Sequence, residues 1–170
     1  SLTAFAGMEV LVGDETGLLK GVSSRHAASK KSTKNLLLSS EQQKQCTEAG
    51  VTQLRWAGNE GLYIASRVSG VVELADMEMP NEPPLFSWQP WWENPLSNKV
   101  VGLDWLEKEQ SVLVATGGGA VYTRSTQEED AEPTLLPFRL GADNICTRAR
   151  VSPSGEKLAA SGKEMLLRLH

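Results

Sequence analysis

The sequence predicts an all-β protein built from repeated antiparallel strand units, and two observations support this. Short apolar strands that end in or near Trp lie at residues 51–56 and 100–105, and each is followed by a polar turn and a second apolar strand. The spacing between equivalent positions is also nearly constant, at 49 residues from Trp56 to Trp105 and 46 from Trp105 to Val151. Alternating apolar strands bounded by Gly, Asn and Ser turns are typical of β-hairpins.

Four copies of this strand unit follow one another along the chain. The two clearest copies begin at Val51 and Val100, a third begins at Cys146 with Val151 in place of Trp, and a partial copy opens the chain at Glu9. Repetition at a period in the forties, with strands inside each unit, is typical of the blades of WD-type propellers. A blade buries its two faces only against its neighbours, so such units occur in series. We therefore predict a WD40-type β-propeller.

The predicted blades cover residues 8–40, 50–90, 99–140 and 145–170, so that residues 1–170 form one partial propeller. Candidate outer strands lie at 35–38, 85–88 and 134–138, where an edge position tolerates Pro84 and Pro137. Closure of a ring takes roughly 4–8 blades. About three and a half blades are present, and we expect the others to lie outside this sequence. Residues 23–50, rich in Ser, Lys and Gln, are predicted to be a flexible loop.

The charge, the apolar residues and the cysteines of the sequence each disfavour a class of protein. The formal net charge is −4, and the isoelectric point is near 5.3, which disfavours broad binding to nucleic acid through many phosphate contacts. The sequence has no run of about 18 apolar residues, so we expect no membrane span. Cys46 and Cys146 lie far apart without a CxxC pattern, and we expect two reduced thiols in an intracellular protein.

The sequence offers no recognisable catalytic motif. It lacks a G-x-S-x-G elbow, a P-loop, an H-E-x-x-H pair and a Rossmann glycine fingerprint. Gly117, Gly118 and Gly119 are best explained as a tight turn between strands. We therefore predict a protein that is not an enzyme and uses no cofactor, metal or small-molecule substrate. The alternative is a propeller enzyme with its site in the central channel, which requires a polar cluster there instead of a lining of Val, Ala and Ser.

Five residues are candidates for contacts with partners. Trp91 and Trp92 are anchors if exposed, although packing over an outer strand is the alternative. Lys30 and Lys31 belong to a basic stretch that either contacts RNA or an acidic partner or is simply a solvated loop. Arg67 either lies on a solvated turn or contacts a partner on one propeller face.

Residues 10–22, with the sequence VLVGDETGLLKGV, closely resemble the N-terminal stretch of the nucleolar WD-repeat assembly factors of the large ribosomal subunit precursor. In that family an opening strand, a Gly-x-Glu-Thr-Gly turn and a Leu-Lys-Gly-Val strand begin a seven-bladed propeller. The later strands that begin at Val51 and Val100 are compatible with this resemblance. The chain departs from generic WD repeats in lacking the Gly-His and Trp-Asp dipeptides, so we expect its stability to come from apolar packing between sheets.

The resemblance implies a non-catalytic scaffold of a seven-bladed ring, located in the nucleus and nucleolus. Such a scaffold binds other assembly factors on pre-ribosomes during large-subunit biogenesis and is released by an AAA-type ATPase. Contact with pre-ribosomal RNA through the local basic loop is compatible with this role. The alternative is a WD-type interaction adaptor in another nuclear or cytoplasmic complex.

Overall fold

A computed structural model of the chain describes residues 9–15, 17–23, 34–37, 50–58, 61–77, 79, 82–88, 99–128, 130–140, 146–162 and 166–168. These residues form fourteen strands in four antiparallel sheets, and within every sheet the strands follow one another in chain order. None of the described residues belongs to a helix long and apolar enough to cross a membrane.

The first sheet has three described strands and contains the segment that carries the family resemblance. The strands are β1 (Glu9–Gly13), β2 (Leu19–Ser23) and β3 (Lys34–Leu37). Strand β3 pairs directly with β2, so the segment predicted as an outer fourth strand is the third strand of the sheet. It also interrupts the predicted loop at 23–50, which is therefore not one continuous irregular segment. The remainder of that loop lies outside the described residues, except Ser23, which ends β2, and Gly50.

The second and third sheets each have four strands. The second contains β4 (Val51–Trp56), β5 (Leu62–Arg67), β6 (Val72–Asp76) and β7 (Phe86–Trp88). The third contains β8 (Val100–Leu106), β9 (Ser111–Thr116), β10 (Ala120–Ser125) and β11 (Thr134–Arg139). Strands β7 and β11 lie at the positions predicted for outer strands. All six residues of β9 are buried, because this sheet is covered on both faces.

The fourth sheet has three described strands, β12 (Cys146–Val151), β13 (Leu158–Gly162) and β14 (Leu166–Arg168). The turn between its first two strands is closed by a hydrogen bond from the amide of Ser152 to the carbonyl oxygen of Lys157 at 2.7 Å. Gly155 in this turn has a φ of 78°, a conformation that glycine adopts without steric cost.

Three apolar clusters lie between successive sheets. Leu19 packs with Tyr63 and Ala65 between the first and second sheets. A second cluster, which includes Ile64 and Val114, lies between the second and third sheets. A third lies between the third and fourth sheets and includes Val101, Leu113, Ala149, Leu158 and Ala160. Burial of one Val or Leu side chain contributes roughly 1.5–3 kcal/mol. Strand β1 contacts β4, β4 contacts β8, and β8 contacts β12, so the first strand of each sheet lies on the inner side of the stack.

Three of the four inner strands share one irregularity. In β4, β8 and β12 the register with the following strand shifts between the first and third residues, which is the geometry of a β-bulge. Thr52 and Thr147, at the extra position in β4 and β12, donate hydrogen bonds to the carbonyl oxygens of Ser66 and Ser161 at 3.2 and 3.1 Å. The bulges therefore align the three repeats residue by residue.

The two repeat tryptophans are less buried than their place in an apolar strand predicts. Trp56 is 37% exposed, and Trp105 is partly buried. The indole Nε1 of Trp105 donates to Glu107 Oε2 at 2.7 Å and lies close to Gly58 of the preceding sheet. The apolar strand pattern predicts two buried indoles, and this prediction was wrong because Trp56 is the last residue of β4 and Trp105 the last but one of β8. At these strand ends the indoles are only partly covered, and Trp105 lies beside a turn of the preceding sheet.

Candidate functional site

Arg67 is the predicted partner-binding residue that the structure describes. It ends β5 and is 6% exposed. Its Nη2 and Nε donate to Glu73 Oε2 at 2.8 and 3.1 Å, and its Nη1 donates to the carbonyl oxygen of Gly17 at 3.0 Å. The guanidinium thus joins a carboxylate of its own sheet to the β1–β2 turn of the first sheet.

These contacts correct the interpretation of Arg67 as a residue on a solvated turn. A guanidinium is removed from water only where its donors meet acceptors, and Glu73 and Gly17 supply them. The contacts also correct the expectation that only apolar packing joins the sheets. A partner contact through Arg67 stays a prediction, and it would require the guanidinium to leave Gly17 or Glu73. Trp91, Trp92, Lys30 and Lys31 lie outside the described residues.

A second charged feature lies on the inner strands, and we name it the inner-strand arginine cluster. It consists of Arg55 on β4, Asp104 on β8, and Arg148 and Arg150 on β12. Arg55, Asp104 and Arg150 each occupy the fifth position of their strand, opposite Ile64, Leu113 and Ala159 respectively. Three successive sheets therefore present a basic, an acidic and a basic group at one level.

Asp104 stands between the two flanking guanidinium groups. Its Oδ2 accepts a 2.8 Å hydrogen bond from the amide of Val151 on β12. Its Oδ1 is 3.6 Å from Arg55 Nε and 3.6 Å from Arg150 Nη1. Both ion pairs are longer than a charge-assisted hydrogen bond, which is about 2.7–2.9 Å. The backbone amide therefore holds the carboxylate more closely than either arginine does.

Arg55 is the most enclosed guanidinium of the cluster. Its Nη1 donates to the carbonyl oxygen of Leu54, and its Nη2 donates to Gln53 Oε1 at 3.4 Å. Its Nε is buried and has no hydrogen-bond partner among the described residues. Burial lowers the pKa of Arg55, and the charges of Arg150 and Arg148 lower it further against the opposing effect of Asp104. The site is therefore crowded with positive charge.

The other two arginines are accessible. The side chain of Arg150 is 48% exposed, and Arg148 is exposed. Within the described part of the chain, Arg148 makes no ion pair, and neither Arg148 nor Arg150 donates a side-chain hydrogen bond. Their guanidinium donors are therefore open to solvent and to a ligand.

Three guanidinium groups beside one carboxylate are suited to binding anions. Arginine stays protonated in proteins and presents a planar set of donors that matches carboxylate and phosphate oxygens. Such groups recognise charge and do not carry protons. The inner strands thus carry a polar cluster, and not only the Val, Ala and Ser lining that would argue against a site in the channel. The chemistry of this cluster is suited to recognising a charged ligand.

Among the described residues, no group of three or more His, Cys, Asp or Glu side chains is arranged to hold a metal ion. Cys146 is a free, buried thiol, and burial raises its pKa. Cys46 lies outside the described residues. Gly117, Gly118 and Gly119 form the predicted turn between β9 and β10, where Gly119 has a φ of 82°.

The arginine cluster was not predicted from the sequence, although its signal is visible there. Arg55 and Asp104 precede Trp56 and Trp105 in the two strands that define the repeat, and Arg150 precedes Val151. Comparing equivalent positions across repeats identifies opposite charges at one level. Arg148 lies two residues before Arg150 in the regular part of β12 and therefore shares its face of the strand.

No protein-family model matches the sequence, and no curated protein matches it. Solved structures that are similar in fold include the following two. The computationally designed Ika4 protein has a TM-score of 0.64 and 13% identity, and the match covers 98% of this chain and 87% of that chain. The WD40 β-propeller domain of Doa1 has a TM-score of 0.65 and 14% identity, and the match covers 99% of this chain and 48% of that chain.

The chain thus spans about half the length of the Doa1 chain that it matches. At these identities the similarity establishes the fold alone. Four antiparallel sheets in chain order, first strands on the inner side and apolar clusters between neighbours agree with that similarity. The chain has the all-β fold of a partial WD40-type β-propeller.

Proposed function

We propose that this protein is a non-catalytic WD-repeat scaffold in the biogenesis of the large ribosomal subunit. The observation that carries the proposal is the resemblance of residues 10–22 to the nucleolar WD-repeat assembly factors. Strands β1 and β2 form the hairpin that this resemblance implies, with the Asp14–Gly17 turn between them. The WD40-type fold supports the coarser part of the proposal, since propellers commonly hold several partners on a rigid ring.

The chemistry of the described surface is consistent with a binding role. The inner-strand arginine cluster provides guanidinium donors for anionic groups. In the proposed role, other assembly factors hold the protein on nucleolar pre-ribosomes, and an AAA-type ATPase releases it. Lys30 and Lys31 are the proposed contacts with pre-ribosomal RNA, and Trp91 and Trp92 are the proposed anchors for protein partners.

The second candidate is a WD-type adaptor in another nuclear or cytoplasmic complex. The fold favours both candidates equally, because fold does not determine the partner. The resemblance of residues 10–22 favours the ribosomal one. Identification of the bound partners distinguishes between them.

The test is affinity purification of the tagged full-length protein from nuclear extract, scored for large-subunit precursor RNA and for an AAA-type ATPase. We expect both to be recovered above the level of a tag-only control. Recovery of a different defined complex, without precursor RNA, would support the adaptor instead and contradict the ribosomal role.

Two matched variants test the proposed contacts in the same purification. Trp91→Ala with Trp92→Ala should reduce recovery of the protein partners, because Trp is enriched among residues that dominate interface energies. Lys30→Gln with Lys31→Gln should reduce recovery of RNA first. If folded variants recover the protein partners and RNA as well as the unsubstituted protein does, these residues do not belong to the interface.

A further inference from the structure

We propose that the inner-strand arginine cluster binds an acidic peptide segment of a partner protein. The proposal deepens the scaffold function, on which it rests, by naming a site and the chemistry of its partner. The acidic side chains of that segment would accept hydrogen bonds from the guanidinium donors that the described residues leave open.

The first argument is the state of those donors. Within the described part of the chain, Arg55 Nε is buried without a hydrogen-bond partner, and the ion pairs of Arg55 and Arg150 with Asp104 are both 3.6 Å long. Buried polar groups in proteins are nearly always hydrogen-bonded, so a buried donor without an acceptor indicates a position where a ligand can bind. A carboxylate placed among the three guanidinium groups would supply short, charge-assisted hydrogen bonds.

The second argument is the balance of charge. The cluster contains three guanidinium groups and one carboxylate, and Asp104 is already engaged by the amide of Val151 at 2.8 Å. The mutual repulsion of the arginines is not compensated within the cluster. An anionic ligand relieves it, because opposite charges at short range favour the charged form of each group.

The third argument is access. Arg148 is exposed and Arg150 is about half exposed. The side chain of Arg55, which pairs with Asp104, is 25% exposed. All three arginine side chains of the cluster therefore keep part of their surface accessible to a ligand.

An acidic peptide fits these observations better than RNA does. Nucleic-acid binding draws its affinity from many basic groups spread along a strand of phosphates, whereas this cluster is compact and the chain carries a formal net charge of −4. The planar donors of a guanidinium group match the two oxygens of a carboxylate. RNA is retained as an outcome of the test.

The binding experiment uses fluorescence anisotropy with purified full-length protein. The probe is a short fluorescein-labelled peptide of alternating Glu and Gly, with a Gln and Gly peptide as the uncharged control. We expect saturable binding of the acidic probe only, weakened as salt rises from about 50 mM to about 500 mM because ionic screening increases.

Three variants make the test specific to the site. Arg148→Gln with Arg150→Gln should weaken binding about tenfold or more, since it removes two charged donors. Asp104→Asn should strengthen it several-fold, because the amide oxygen can still accept from Val151 while the competing negative charge is lost. Lys108→Gln is the matched control. Lys108 is 70% exposed and pairs at 3.8 Å with the exposed Glu156, so its loss should not change binding beyond a small general effect of charge.

The opposite responses of the arginine and aspartate variants separate recognition from a merely structural role. A structural role would leave binding unchanged, or would lower it together with thermal stability in both variants. Absence of binding to the acidic probe would overturn the proposal, as would equal loss in Lys108→Gln. Tighter binding of a single-stranded RNA, lost in the same arginine variant, would also overturn it and assign the cluster to RNA. These results do not depend on whether the protein is found on pre-ribosomes, so the scaffold role and the peptide site can fail separately.

Discussion

The guanidinium of Arg67 donates a 3.0 Å hydrogen bond to the carbonyl oxygen of Gly17, although the two residues are 50 positions apart. Beside this bond, the amide of Val51 donates to the carbonyl oxygen of Asp14 at 2.9 Å. The turn inside the family-like segment 10–22 is therefore attached to the second sheet at two points.

Arg67→Met should destabilise the protein by about 3–5 kcal/mol, because it leaves the largely buried Glu73 without its counter-charge. Urea-induced unfolding measures this change. Arg67→Met combined with Glu73→Leu should cost less than the sum of the single changes, since the uncompensated charge is gone. A loss below about 1 kcal/mol in Arg67→Met, the size typical of surface substitutions, would contradict the buried pair.

Gly102→Ala should destabilise the contact between the third and fourth sheets. A Cβ at Gly102 would lie 2.7 Å from Ala149 Cβ and 2.8 Å from its carbonyl oxygen, so the strands must separate. Overpacking of this kind costs about 1–3 kcal/mol. At Gly155 nothing lies within 4 Å of an added Cβ and only its φ of 78° opposes the change, so Gly155→Ala should cost about 1 kcal/mol. Thermal unfolding of the two variants tests this order, and equal effects would contradict the close approach at Gly102.

Trp105→Ala should destabilise the protein more than Trp56→Ala does. Trp105 is partly buried beside the second interface cluster, which includes Leu103 and Val112, and we expect a loss of about 2 kcal/mol, below the range for fully buried Trp. Trp56 is 37% exposed, and we expect about 1 kcal/mol or less. Comparison of urea midpoints decides the order, and the reverse order would mean that the two indoles do not occupy the environments described.

Tyr63 should make stability fall at high pH. Burial, helped by the carboxylates of Glu73 and Asp76, raises the pKa of Tyr63 to about 12, whereas an unfolded tyrosine has a pKa of about 10. Below pH 10 the phenol is neutral in both states and adds no pH dependence. Above it the unfolded state ionises first, so stability is lost between about pH 10 and about pH 12, by up to about 3 kcal/mol.

The free energy of unfolding, measured from about pH 9 upward, should therefore decline less steeply in Tyr63→Phe than in the unsubstituted protein. Tyr122→Phe is the control for loss of a phenol, and Tyr122 is only partly buried. Identical slopes for Tyr63→Phe and the unsubstituted protein would contradict the raised pKa.

The repeated strands were predictable because their apolar residues recur in register, as in 51–56 and 100–105. The burial of Arg67 was not predictable, since its acceptors lie on another sheet and on another strand. The partial exposure of Trp56 was missed for a related reason: an apolar strand pattern does not indicate what covers the end of the strand. Prediction of the arginine cluster would have required the alignment of the inner strands, because only that alignment brings Arg55 close to Asp104.

The most direct test of the proposed role is sedimentation of the tagged full-length protein from nuclear extract through a sucrose gradient, with large-subunit precursor RNA followed in the same fractions. We expect the protein to sediment with the precursor particles and to shift to the top of the gradient after ribonuclease treatment. Sedimentation only as free protein, apart from precursor RNA, would contradict the role in large-subunit assembly and leave the WD40-type fold unaffected.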